Sequence, residues 1–168
     1  MLLCLAILLP GCATFSGGNE FADVDALIED ASWEAVEILW NNYEDLEEGP
    51  TRTMAVYYFL EDGKVSARSD ALIEGLTTQL ANAIAYEGIR VGVVSRTNLD
   101  RILEELAFQS SDLVDPATQK SVGRQLGADI IVSGVTTATD RGDKFNIQLI
   151  EVETGVVLGG MIKYLLRE

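Results

Sequence analysis

Histidine is absent from this 168-residue chain. Because histidine is the usual general base near neutral pH and the commonest transition-metal ligand, its absence excludes Ser-His-Asp, Cys-His and His-zinc chemistry. Cysteine is nearly absent too, since Cys4 and Cys12 both lie in the first twelve residues. If Cys4 is cleaved off and Cys12 is modified, the domain keeps no thiol for a disulfide framework or a thiolate metal site. A carboxylate-dependent hydrolase stays open as the enzymatic alternative, although no motif points to it, and no cofactor is predicted.

Basic residues are also scarce. The chain has 12 Lys and Arg against 27 Asp and Glu, which gives a formal net charge of −15. A surface of this charge repels nucleic acid and anionic lipid head groups. It favours a partner with a basic patch, mainly through the rate of association. The alternative, which we weigh equally, is that the acidity only keeps the domain soluble.

The N-terminal segment is an uncharged apolar run that ends in Leu9-Pro10-Gly11-Cys12. It is shorter than the roughly 20 apolar residues that span a bilayer, but it fits the apolar region of a secretory signal. It resembles a bacterial lipoprotein signal, in which the cysteine receives the lipid. We therefore predict a signal at residues 1–11, lipidation at Cys12, a polar tether at 12–20 and one globular domain at 21–168. The alternatives are an ordinary cleaved signal or a buried first strand.

Hydrophobic periodicity predicts nine elements in the order α-β-α-β-α-α-β-β-β. They cover residues 21–46, 53–60, 69–88, 89–94, 97–106, 115–127, 130–135, 145–149 and 156–165. Strands separated by helices predict parallel pairing, and the two tight turns near the end predict an antiparallel C-terminal meander. The predicted fold class is therefore α/β (α+β), with one mixed β-sheet and helices packed on it.

Three aromatic residues widen the apolar face of the first predicted helix: Trp33, Trp40 and Tyr43. We favour a place in the core for them, because long apolar stripes usually bury within the same molecule. The alternative is a partner surface, where such residues are enriched. Asp100, Glu104 and Glu105, on the outward face of the helix predicted to begin near Thr97, are candidates for an acidic contact with the same partner.

Several glycines have structural interpretations. Gly123 and Gly127 are four residues apart and predict a close helix contact followed by a helix C-cap. Gly159 and Gly160 are not followed by a helix start, so they predict a β-bulge or a close backbone approach rather than a phosphate loop. The segment from Asp140 to Asp143 predicts a hairpin turn, because its spacing does not match a calcium loop.

Two runs and a short turn carry a resemblance to a known family. They are RTNLDRILEELAFQ at residues 96–109, GRQLGADIIVSG at 123–134 and LIEVETG at 149–155. Together they resemble the CsgG-type lipoproteins, which comprise the curli secretion channel, the LpoB-type activators of penicillin-binding proteins and the FlgO-type flagellar proteins. The resemblance extends over residues 53–158.

The resemblance implies a lipid-anchored domain that faces the periplasm, is attached to the outer membrane and binds or assembles proteins rather than acting as an enzyme. The connections are too short to hold pairs of membrane strands of roughly 9–11 residues, so we do not expect a pore. We therefore predict an envelope protein as partner, with a peptidoglycan synthase the first candidate. The alternative is an accessory or ring subunit of a curli-like secretion or flagellar apparatus. A homo-oligomer stays open.

Overall fold

The computed structural model describes residues 19–61, 64–65, 67–94 and 116–167. These form, in chain order, β1 (Glu20–Phe21), α1 (Val24–Asn42), β2 (Arg52–Glu61), β3 (Lys64–Val65), α2 (Ala67–Glu87), β4 (Val91–Val93), α3 (Pro116–Leu126), β5 (Ile130–Thr139), β6 (Gly142–Glu151) and β7 (Val157–Leu166). The predicted mixed α/β class is confirmed. Among the described residues, no helix combines the length and apolar content that a membrane crossing requires.

The described strands form one mixed sheet in the order β1-β7-β6-β5-β2-β3, and β4 pairs with β2. β2 is parallel to β4 and β5, because long connections return the chain in the same direction. β5, β6 and β7 form the predicted antiparallel meander. Thr139 pairs with Gly142 across the first hairpin, so the turn itself is Asp140–Arg141 and Asp143 already lies in β6.

The predicted limits of the first helix are wrong at both ends. Phe21 belongs to β1, which pairs in parallel with the end of β7, and Asp23 caps α1 by accepting a hydrogen bond from the backbone N–H of Asp25 at 3.2 Å. At the other end the helix stops at Asn42, and Leu46 is buried after the helix has ended. Both errors have the same cause. The spacing of apolar residues indicates which residues are buried, but it does not show whether the backbone at those residues is helical.

The main core lies between the α1–α2 pair and one face of the sheet. α1 contributes Leu27, Ile28, Ala31, Ala35, Val36 and Leu39, α2 contributes Leu72, Ile73, Leu76, Leu80, Ala83 and Ile84, and the sheet contributes Met54, Val56, Phe59, Ile130, Val132, Phe145, Ile147, Leu149 and Met161. α3 packs on the opposite face, where Gly123 lies close to Ile131 and Val152. This contact and the left-handed Gly127 after α3, with φ 64°, confirm the predicted helix contact and C-cap. The domain therefore has three layers.

Gly159 lets α1 lie directly on β7. A Cβ at this position would be 2.9 Å from Cγ2 and 3.0 Å from Cγ1 of Ile38, which is closer than ordinary van der Waals contact. The register beside it shifts, since Leu149 pairs with Gly159 and Ile150 pairs with Val157. The close approach predicted at Gly159-Gly160 is thus confirmed at Gly159, where it sets the distance between α1 and β7, and the irregularity of the strand lies next to the pair, at Leu158.

We predict that Gly159→Val lowers the free energy of unfolding by about 1–3 kcal/mol, the usual effect of overpacking. Ile38→Ala in the same chain should recover part of this loss, because it removes the atoms that the new side chain meets. Urea unfolding of the wild type, both single variants and the double variant gives the coupling energy. If the two substitutions lower the free energy of unfolding by strictly additive amounts, Ile38 is not what prevents a larger side chain at position 159.

Candidate functional site

Two tryptophans lie on the exposed flank of α1. The exposed fractions are 39% for Trp33 and 37% for Trp40. They are seven residues apart, which is about two helical turns, so both lie on the same side of the helix. The interpretation that places them in the core is therefore wrong for both, and a partner surface remains the alternative. The buried stripe of α1 is occupied instead by smaller residues, all of them aliphatic except Ser32.

Tyr86, in the last turn of α2, extends this aromatic flank. It is 80% exposed, and its ring makes an edge-to-face contact with Trp33 at a centroid distance of 5.5 Å. It is not among the site residues predicted from the sequence. The sequence does hold one indication of this position. Tyr86 is a large aromatic residue that does not fall on the helical spacing of the buried residues of α2, the last of which are Ala83 and Ile84.

A groove of about 850 Å³ runs beside Trp33, between α1 and the edge of the sheet formed by β1 and β7. It is lined by Asn19, Phe21, Ala26, Glu29, Asp30, Trp33, Glu34, Glu37 and Lys163. Four of these residues are acidic and one is basic. The groove thus combines an aromatic wall with an acidic lining.

Lys163 lies at the base of the groove and is only 2% exposed. Its Nζ is 2.6 Å from Oδ2 of Asp30 and donates a hydrogen bond to Oε2 of Glu34. Burial by itself would lower the pKa of Lys163, but the hydrogen bonds and charges of the two carboxylates outweigh it and the pKa is raised. The lysine is therefore a fully charged structural cation that joins β7 to α1, and not a free base.

Tyr43 lies at the C-cap of α1, where its contacts are intramolecular. Its hydroxyl donates to Oε1 of Glu151 at 3.2 Å, and the Arg52 guanidinium carbon lies 4.2 Å from its ring centroid. Burial and then the negative charge of Glu151 raise the pKa of Tyr43 to about 12. Arg52 also pairs with Asp45 at 2.9 Å. Tyr43 therefore serves packing, as the favoured interpretation predicted, and lies apart from the groove.

The remaining predicted site residues, Cys12, Asp100, Glu104 and Glu105, lie outside the described residues, and their roles stay predictions. Within the described ranges, no group of three or more His, Cys, Asp or Glu side chains is placed to hold a metal ion. The candidate site is therefore the surface formed by Trp33, Trp40, Tyr86 and the groove, which we call the α1 flank.

We predict that Lys163→Met destabilises the domain by about 1–3 kcal/mol. Removing one partner of a buried ion pair typically costs about 3–5 kcal/mol, but the Asp30 and Glu34 side chains are 19% and 37% exposed, so water compensates part of the loss. Adding Asp30→Asn and Glu34→Gln should restore part of the stability in urea unfolding. Exposed Glu29→Gln is the control and should change stability by no more than about 0.5 kcal/mol. Wild-type stability for Lys163→Met would contradict the role given to the lysine.

Comparison with known proteins identifies the family. Residues 62–158 match the model of the family described as peptidoglycan-synthase activator LpoB. The fold is similar to the LpoB C-terminal domain from Salmonella enterica, with a TM-score of 0.62 and 16% identity over 86% of this chain and 99% of that chain. For the LpoB C-terminal domain from Escherichia coli, the TM-score is 0.60 and the identity is 17%, again over 86% of this chain and 99% of that chain. For the NMR structure of E. coli LpoB, the TM-score is 0.62 and the identity is 15%, over 99% of this chain and 84% of that chain.

At these identities the solved structures establish the fold, and the family model carries the assignment. No curated protein matches the chain at a significant level. The predicted resemblance is thus confirmed for its LpoB branch, while the wider grouping with CsgG and FlgO stays a prediction. Because the family model covers more than half of the sequence, the chain belongs to the LpoB family of peptidoglycan-synthase activators.

Proposed function

We propose that this protein is a lipid-anchored periplasmic activator of a peptidoglycan synthase and not itself an enzyme. The observation that carries the proposal is the match of residues 62–158 to the activator family. The similarity of the fold to LpoB C-terminal domains over 86% of the chain supports it independently. The alternative of a secretion or flagellar subunit has no comparable support.

Activation of this kind requires binding and no catalytic group. A regulator increases the activity of an enzyme when it binds the active conformation more tightly than the inactive one. A difference of about 1–3 kcal/mol between the two conformations changes the equilibrium by about 5–150-fold. A folded domain with an exposed aromatic surface is suited to this task, since little of its backbone has to become ordered on binding.

The direct test is a synthesis assay with the purified cognate peptidoglycan synthase and the full chain in detergent. We predict that a saturating concentration of the protein raises the initial rate of glycan polymerisation by at least about fivefold, the lower end of typical allosteric coupling. The heat-denatured protein is the matched control for added protein and detergent. An unchanged rate at saturation would contradict the proposed function.

The anchor is proposed at Cys12, on the basis of the apolar run at residues 1–11 that ends in Gly11-Cys12. The tether at residues 12–20 has nine residues, which reach at most about 30 Å when extended. The lipid would therefore hold the domain close to the periplasmic face of a membrane, which we propose is the outer membrane, and the synthase would have to reach it there.

We predict that Cys12→Ser moves the protein from the membrane pellet to the soluble fraction, because a serine offers no thiol for acylation. Metabolic labelling with a fatty acid should mark the wild type and leave the variant unlabelled. Cys4→Ser is the control, since it should leave both labelling and fractionation unchanged. An unlabelled wild type and a variant that still pellets would together rule out the anchor.

A further inference from the structure

The exposed aromatic residues of the α1 flank are not needed to form the hydrophobic core. The buried side of α1 is complete with aliphatic and small residues, and yet Trp33, Trp40 and Tyr86 remain exposed beside it. Aromatic side chains are the usual anchors of protein interfaces, because they bury a large area with few rotatable bonds. Their grouping on one flank therefore points to a partner.

Carboxylates lie on both sides of Trp33 along the helix. Glu29 is four residues before it and Glu37 four residues after it, so all three project from one side of α1 and line the same groove. Neither glutamate has a hydrogen-bond or ion-pair partner elsewhere in the described part of the chain. A cation stacked on the indole would thus have a carboxylate within reach in either direction along the helix.

The base of the groove does not compete with such a cation. Lys163 is already paired with Asp30 and Glu34, whose two negative charges outweigh its single positive charge. With Glu29 and Glu37 added, the lining has four carboxylates and one ammonium group. The charge of the groove has the same sign as the −15 of the whole chain, so the local and the long-range fields attract the same kind of ligand.

We propose that the groove binds a basic segment of the peptidoglycan synthase, and that an arginine of this segment stacks on Trp33 and pairs with Glu29 or Glu37. Arginine fits better than lysine, because its planar guanidinium stacks on an indole and pairs with a carboxylate at the same time. A second copy of this chain fits poorly, since it would bring the same carboxylates together. That the partner is the synthase rests on the proposed function, and that the segment is basic rests on the charge of the groove.

The experiment measures binding of the full chain in detergent to the immobilised cognate synthase. Trp33→Ala should weaken the affinity by at least about 30-fold, the size of an interface hot spot. Glu37→Lys should weaken it by at least about tenfold and slow association. Glu74→Lys, an equal charge change at an exposed position of α2 outside this groove, is the matched control and should weaken affinity less than threefold. Urea unfolding of each variant verifies that it is folded.

The outcomes separate the two proposals. If the wild type neither binds nor activates the synthase, the proposed function is wrong and this inference falls with it. If the wild type binds and activates but Trp33→Ala and Glu37→Lys do so equally well, only the docking site is wrong. Equal losses for Glu37→Lys and Glu74→Lys would indicate long-range attraction without a site. Sedimentation that shows a dimer lost in Trp33→Ala would make the α1 flank a contact between copies and would also overturn the inference.

Discussion

The buried ion network of Lys163 is the interaction on which the candidate site depends. A lysine that is 2% exposed must keep its partners, because an unpaired ammonium group in such a position costs several kcal/mol. Its partners Asp30 and Glu34 are four residues apart on one side of α1. The network therefore fixes the rotation of α1 about its own axis, and that rotation turns Trp33 and Glu37 toward the groove.

Other contacts hold α1 along the length of β7. Ile38 fits into the space left by Gly159, and the Asn42 side chain donates to the carbonyl of Leu158 at 3.1 Å. Tyr43 continues the series through Glu151 in the neighbouring strand. With the helix held at these points, the aromatic side chains are presented from a fixed backbone, which reduces the entropy lost when a partner binds.

The sequence predicted the long elements well and the site less well. β2 and the meander were predictable because their apolar residues recur with the periods of a buried strand and of a hairpin. β1 and β3 were not, since a pair of residues carries no periodicity. The helix predicted near residue 97, with its acidic residues, lies outside the described residues. The wrong placement of Trp33 and Trp40 came from counting every apolar residue of α1 toward the core.

A physical signal for the missed part of the site was present in β7. Met161, Lys163 and Leu165 alternate along the strand, so they share one face, and the first and last of them pack on the core. A lysine between them must either leave an unpaired charge in the core or pair with acidic side chains of the helix that packs on this face. Only the helix packed on that face supplies such partners among the described contacts, and the sequence could not show which of its carboxylates would meet the lysine.

The central claim is that α1 presents Trp33 to the synthase. The chain has two tryptophans, so a protein labelled with ¹⁵N-tryptophan gives two indole signals, which Trp33→Phe assigns. Titration with unlabelled synthase is the most direct measurement. The account predicts that the Trp33 indole signal changes its chemical shift as the synthase binds, beyond the broadening that slower tumbling of the complex imposes on both indole signals. A Trp33 indole signal whose chemical shift stays unchanged while the synthase saturates the protein would contradict it.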